Sequence, residues 1–304
     1  MSSGHPEPAA SILVSNTDGT SGIRAFDPIT GASQGTFSTH GGFGLAVAAN
    51  GNILHNEGNT IEAYSPSGQD LGAFATTAGF SFGVAAAADG SVYVLQNASS
   101  GEIIQKFNSA GASLGTVVAG SSLEGIAVAP NGNLIVDNLF SIDTYTSSGA
   151  FLGSTSAGGE SFGVTTAPDG TVYFSTPDDA IYHQGSHAGK VYKCTGCDAG
   201  PGAVSLFATD PNAGDLNGML FDGATMFVAS RFADDILEFD STTGAYEGIL
   251  ASTGSSYIGP YSLVLDSTTF AAATPEPGTT VLLVAGLGLI GGGRILRRRH
   301  AGPK

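Results

Sequence analysis

Apolar positions along this chain fall in short alternating runs, and one arrangement of them recurs. In LEGIAVAPNGNLIV at 123–136, Gly125 opens the run Ile126 to Ala129, Pro130-Asn131-Gly132 forms a turn, and Leu134 to Val136 is a second apolar run. Alternation bounded by turn residues predicts strands. Asn-Gly and Asp-Gly supply the positive φ that a two-residue hairpin needs, so two-residue hairpins are expected here. The plan returns as FGLAVAANGNIL at 43–54, FGVAAAADGSVYV at 82–94 and FGVTTAPDGTVYF at 162–174, and more loosely as NGMLFDGATMFVA at 217–229. A third strand follows at 61–68, 103–111, 142–149 and 236–244. A short outer strand then follows at 71–74, 114–118, 151–154 and 246–250.

The small residues that open the inner strands are Gly44, Gly83, Gly125, Gly163, Gly218 and Ser262, spaced by 39, 42, 38, 55 and 44. A period near 40 with four strands per unit predicts a β-propeller, and six inner strands predict six blades. The last inner strand, SLVLD at 262–266, has no partners after it. Three strands near the start, within 11–16, 22–31 and 34–37, have no inner strand before them. Joined, they make one blade and close the ring, which removes the open sheet edges that invite aggregation. The expectation is an all-β, six-bladed β-propeller over 11–270, closed by N- and C-terminal strands, behind a disordered tip at 1–10. Units such as LEGIAVAPNGNLIVDN make this region resemble the NHL-repeat family of six-bladed propellers. That resemblance implies the fold, and the fold hosts binding modules, scaffolds and enzymes alike.

The widest spacing marks two insertions, PDDAIYHQGSHAG at 177–189 and TGCDAGPGA at 195–203. Long loops on a rigid scaffold are where function concentrates.

Composition adds a compartment. Charged residues are 12%, Gly is 46 of 304 and Trp is absent, which suits short strands and tight turns. Net charge is −16, yet Arg294, Arg297, Arg298, Arg299 and Lys304 supply half of the ten basic residues. Residues 1–273 hold five basic against 25 acidic side chains, a net of −20. So acidic a body excludes nucleic acid as a partner, and the bland reading of the charge is solubility.

Residues 271–278 read as a linker. From 279 to 296 the chain is apolar or small apart from Arg294, 18 residues and just long enough for a transmembrane helix. Arg294 can snorkel, and Arg297, Arg298 and Arg299 place the tail at 297–304 in the cytoplasm, with the propeller outside. Pro275-Glu276-Pro277, the apolar helix and the Arg cluster together resemble the PEP-CTERM sorting signal. The resemblance implies an exported bacterial protein of the cell envelope or extracellular space, with an exosortase as partner and cleavage near Pro275–Pro277. Its members also carry an N-terminal signal peptide. Residues 1–10 show no basic n-region or apolar h-region, so the expectation is a true start upstream.

Several motifs invite chemistry. GFSFG at 79–83 and GESFG at 159–163 match the nucleophile-elbow spacing, but both run into an inner strand at the same point of two repeats, which reads Ser81 and Ser161 as repeat consensus. Gly286, Gly288 and Gly291 match a dinucleotide fingerprint inside the apolar tail, with no βαβ unit around them. Cys194 and Cys197 supply two metal ligands where zinc wants three or four. In an exported protein a small-loop disulfide is favoured over free thiols or a redox pair. His183 and His187, with Asp178 and Asp179, could hold a metal, but a five-residue strand of some 15 Å separates them from the cysteines. Solvated loop histidines are the plain alternative.

The residues preceding the opening positions, Phe43, Phe82, Glu124, Phe162, Asn217 and Tyr261, are expected at the mouth of the central channel. Four aromatics there predict a packed plug. LNGMLFD around Asn217 resembles the inner strand of the gluconolactonase/regucalcin family, which implies a calcium site drawing on Glu124 and Asn217 and needing a further carboxylate. The leading expectation is a non-enzymatic surface module that binds carbohydrate or protein, without a cofactor. The competing one is a calcium-dependent lactonase or hydrolase.

Overall fold

A closed ring of six four-stranded antiparallel sheets is what these runs build. The computed structural model describes residues 10–16, 22–176, 189–209, 215–231, 233–254 and 259–267. The linker, the apolar stretch 279–296 and the basic tail lie outside the described residues. Blade 1 holds β1 (Ser11–Asn16), β2 (Ile23–Phe26), β3 (Ser33–Ser38) and, innermost, β24 (Pro260–Asp266). Blade 2 is β4 (Leu45–Val47), β5 (Ile53–Glu57), β6 (Thr60–Tyr64) and β7 (Asp70–Thr76). Blade 3 is β8 (Ser81–Ala86), β9 (Val92–Ala98), β10 (Gly101–Phe107) and β11 (Ser113–Gly120). Blade 4 is β12 (Gly125–Val128), β13 (Leu134–Asn138), β14 (Ser141–Tyr145) and β15 (Phe151–Ser156). Blade 5 is β16 (Gly163–Thr166), β17 (Val172–Thr176), β18 (Lys190–Thr195) and β19 (Ala203–Thr209). Blade 6 is β20 (Leu216–Asp222), β21 (Thr225–Ser230), β22 (Asp235–Asp240) and β23 (Tyr246–Ser252). The ring closes where expected: β24 pairs with β1, setting Leu13 against Val264 and Val14 against Leu263.

The core is not central. It is six clusters, one at each interface between neighbouring blades. Second strands are buried on both faces, which is why they read as unbroken apolar runs rather than alternating ones. In β13, Leu134 and Val136 pack toward blade 3 while Ile135 packs toward blade 5. The inner strands surround an axial cavity of about 360 Å³ lined by small and apolar residues such as Leu45, Val84, Ile126 and Val164.

One expectation needs correction. Four of the Asn-Gly and Asp-Gly turns are not two-residue hairpins, whereas the Asp222-Gly223 turn is one, Asp222 pairing directly with Thr225. Ala48 N–H donates to the Asn52 carbonyl and Gly51 N–H to the Ala48 carbonyl, so the loop has three residues. The same pairs recur at 87–91, 129–133 and 167–171. Only the glycines take positive φ, between 84° and 87° at Gly51, Gly90, Gly132 and Gly170. The preceding acid or amide acts through its side chain instead: Asn50, Asp89, Asn131 and Asp169 Oδ1 each accept the N–H two residues on, at 2.8–3.1 Å. Such a local cap lets Asn or Asp hold a right-handed turn before the glycine.

The outermost strands are irregular in register in every blade. A bulge twists an edge strand and blunts it as a template for pairing with another chain.

Candidate functional site

The inner strands begin at one end of the channel, and their first residues form its mouth. Glu124 and Phe162 immediately precede β12 and β16, and Phe43 lies two residues before β4. The inner strands β8, β20 and β24 start two residues earlier than their glycine or serine would suggest, so Phe82, Asn217 and Tyr261 fall at bulges in the ladder. That offset alters the expected aromatic plug. Phe82 packs against the cluster between blades 3 and 4. Phe43 instead meets Phe80 and Tyr261 edge-on, with ring centroids 5.4 and 5.2 Å away. Phe80, Phe43 and Tyr261 come from blades 3, 2 and 1 and make one run of three rings, with Phe80 47% exposed.

Carboxyl groups stand behind these rings. Glu124 is half-buried, and burial pushes its pKa up, helped by the charges of Glu102 and Glu160. Burial likewise raises the Tyr261 hydroxyl, with Glu124 adding to it. Asp215 is buried against Arg231 at 3.2 Å; burial still raises its pKa although the guanidinium opposes the shift. Asn217 donates through Nδ2 to the Asp215 carbonyl at 3.3 Å, while its Oδ1 is buried without a hydrogen-bond partner.

A set of buried polar residues near the ends of the second strands was not singled out from the sequence. Ser15, Asn56, Asp137 and Ser175 are fully buried. Ser15 Oγ donates to the Phe43 carbonyl of the next blade, and Ser175 Oγ donates to the Asn217 carbonyl of the next blade at 3.1 Å. Asn56 Oδ1 accepts Gly44 N–H within its own blade. The visible signal was a polar residue ending an apolar run, as in ILVSN, NILHN and LIVDN. The two elbow-like serines join this bracing. Ser81 Oγ donates to the Gly58 carbonyl at 2.8 Å and Ser161 Oγ to the Leu139 carbonyl at 3.2 Å, each tying its blade to the preceding one. Both are fully buried.

Ser161 Oγ also lies 2.5 Å from Asp137 Oδ1, while Oδ2 of that aspartate has no partner. Burial pushes Asp137 up to about 7; the Ser161 hydrogen bond works against this and the Glu124 charge with it. An unfolded aspartate titrates at about 3.9. Between roughly pH 4 and 7 the folded state therefore holds a proton that the unfolded state has lost, so stability falls as pH rises through that window and levels off above it. Asp137→Asn removes the titration and keeps the shape. Raising the pH from 5 to 8 is expected to cost the wild type about 3 kcal/mol more than this variant. Denaturant unfolding at both values reads the difference, and equal losses would dismiss the shift.

Blade 2 gathers a second polar group there. Glu57 accepts from Tyr64 Oη at 2.7 Å, pairs with buried His55 Nδ1 at 3.2 Å, and lies 3.5 Å from His40 Nδ1. Burial would raise Glu57, but His55, Tyr64 and His40 together hold it below the ordinary carboxylate range. Among the described residues, no three or more His, Cys, Asp or Glu side chains are grouped to hold a metal ion. Of the implied calcium set, Glu124 is half-buried and Asn217 buried, and the pair offers oxygen donors from only two side chains. Calcium takes six to eight. His183, His187, Asp178 and Asp179 lie outside the described residues.

Cys194 and Cys197 are joined by a disulfide. The loop it clasps covers the groove between blades 4 and 5. Thr144 Oγ1 donates to the Cys197 carbonyl at 2.5 Å, and Asn131 and Asn133 donate to the Asp198 carbonyl at 3.0 and 2.9 Å. Both sulfurs sit in the apolar cluster of that interface.

The tail decides the compartment. Residues 273–299 match the PEP-CTERM protein-sorting motif. The match spans Pro275, Glu276, Pro277 and Arg297, Arg298, Arg299. This is an exported protein, processed by an exosortase and anchored at least transiently in the membrane at its C-terminus. Among curated proteins, none matches the chain by sequence. Solved structures match in fold. A Bacteroides caccae protein of unknown function superposes with a TM-score of 0.61 at 14% identity, over 85% of this chain and 99% of its own. Kuenenia stuttgartiensis hydrazine synthase gives 0.56 at 17%, over 76% and 73%. A streptogramin B lyase gives 0.55 at 16%, over 81% and 84%. At these identities the likeness is one of architecture alone.

Proposed function

We propose that the propeller is a non-enzymatic binding module at the cell surface or in the extracellular matrix, and that its channel mouth engages carbohydrate. One observation carries the reading: the contiguous rings of Phe80, Phe43 and Tyr261, drawn from three blades, lie on the mouth that also holds Glu124. Aromatic faces stack on the apolar face of a sugar ring, and a few polar groups fix its orientation. The export signal and acidic body suit a module displayed among polysaccharides.

A glycan array probed with the full-length chain tests it. Specific binding is expected, with Phe80→Ala and Phe43→Ala each weakening it at least ~10-fold, the scale of losing one well-packed aromatic contact. Phe80 is the cleaner variant because it is half in solvent. An array without signal, or binding indifferent to both variants, would remove the reading and leave a protein ligand to be sought.

The calcium-dependent hydrolase reading retains one supporting observation, the unpartnered buried Oδ1 of Asn217. A calorimetric titration with calcium chloride separates the two. Heat lost in Asn217→Ala and Glu124→Gln would favour the hydrolase, and no saturable heat would end it.

A further inference from the structure

The internal repeats expose a vacancy on the opposite end of the ring, where the Asn-Gly and Asp-Gly turns lie. One row of residues crosses each blade at the same register. In blade 3 it runs Ala85, Tyr93, Lys106, Gly115, and in blade 5 it runs Thr165, Tyr173, Lys193, Ser205. In both, the tyrosine fills the groove toward the next blade. Tyr93 Oη donates to the Ser147 carbonyl in the β14–β15 turn of blade 4 at 3.1 Å, with Lys106 Nζ 5.2 Å from its ring centroid. Tyr173 lies edge-on to Phe207 with ring centroids 5.0 Å apart, and Lys193 caps Phe207 at 5.4 Å.

Blade 2 has the same row without the fillers. It reads Ala46, Leu54, Ala63, Gly72. The groove between blades 2 and 3 holds an open cavity of about 300 Å³, whose walls include Leu54, Ala63, Phe74, Val92, Asp89 and Ser109. The complementary parts have been kept. Phe74 is the repeat counterpart of Phe207: each is the extra residue of its outer-strand bulge. Each also has its carbonyl pressed against the turn glycine of the following blade, Gly111 and Gly244 respectively. Ser109 is the counterpart of Ser147, two residues before the corresponding turn glycine. The groove therefore keeps the aromatic wall and the acceptor but lacks the tyrosine and the lysine. Asp89 adds an anionic group at its edge.

We propose that this groove binds a phenol-type ring supplied from outside the chain: one aromatic ring with a hydroxyl donor, favoured further by an attached ammonium group. The ring takes the place that Tyr173 takes in blade 5, edge-on to Phe74. Its hydroxyl donates to the Ser109 carbonyl as Tyr93 does to Ser147. The ammonium group meets Asp89 and the acidic surface. The cavity is of the size that a one-ring ligand needs. The site is independent of the carbohydrate reading, because none of its residues belongs to the channel mouth.

Tyramine is the probe, with phenethylamine and cyclohexylethylamine as controls. Saturation-transfer NMR on the full-length chain in mild detergent is expected to label the tyramine ring. Titration is expected to show affinity falling at least about fivefold without the hydroxyl and further without the aromatic ring. Leu54→Tyr rebuilds the filler from within and is expected to abolish binding while raising Tm; the same detergent in both samples cancels partition into micelles. Should Leu54→Tyr not fold, Ala63→Leu occupies the cavity from the neighbouring strand and is expected to weaken binding at least tenfold. Tyramine binding unchanged in whichever variant folds, or absent in the wild type, would overturn the proposal. Because Phe43 and Phe80 are untouched, either outcome leaves the glycan result standing.

Discussion

A chain ending at Gly259 is expected to lose its cooperative unfolding transition and to aggregate, while a chain ending at Phe270 keeps the transition. The difference is β24. Without it, Ile12, Leu13 and Val14, all at zero exposure, lose the strand beside them, and Leu263 and Val264 are gone from the clusters on either side of blade 1. Each such side chain contributes about 1.5–3 kcal/mol when buried. Five of them rival the whole stability of a domain, about 5–15 kcal/mol. The loss also opens β1 as a bare edge, a template for pairing with other chains. Thermal melting by circular dichroism with size-exclusion chromatography checks both ends. Equal behaviour of the two truncations would mean that ring closure contributes little.

The second large effect is local. Gly149→Ala is expected to destabilise far more than Gly132→Ala, although both glycines sit in turns at almost the same φ, +89° and +86°. An alanine at positive φ costs about 1–2 kcal/mol wherever it stands. At Gly132 nothing lies within 4 Å of the added Cβ, so that is the whole cost. At Gly149 the Cβ overlaps the Val117 carbonyl of the preceding blade and comes within 3.2 Å of Val117 Cα. Those are backbone atoms with no rotamer to escape through, so blade 4 must move off β11. Overpacking adds about 1–3 kcal/mol. The expected loss in Tm is roughly 10 °C at Gly149 against about 4 °C at Gly132. Similar shifts at the two sites would show that blades can slide apart freely.

Much of this was legible because propeller physics repeats. Gly44, Gly83, Gly125 and Gly163 recur at a period a reader can count, and the unpaired strands near Leu13 and Leu263 could only meet each other. The Pro275-Glu276-Pro277 tail was legible for a different reason: a sorting signal is read as a linear string by the export machinery, so it must be written as one. The channel mouth was half legible. Glu124 directly precedes its inner strand as the repeat predicts, but bulges at Phe82, Asn217 and Tyr261 re-aim side chains, and a bulge leaves no mark on an apolar pattern. It is for that reason that Phe80, outside the repeat's opening position, became the ring that meets Phe43.

Strand number, blade number, closure and compartment were determined by the sequence alone, since each depends on periodicity or on a linear motif. Which polar residues brace one blade to the next, how the disulfide loop covers one interblade groove, and why the groove beside Leu54 and Ala63 stays open were decided only by the tertiary structure. Those features arise where residues far apart in the chain meet across a blade interface. Whether a side chain there finds a carbonyl, a ring or empty space depends on its neighbour's shape, which no spacing along the chain encodes.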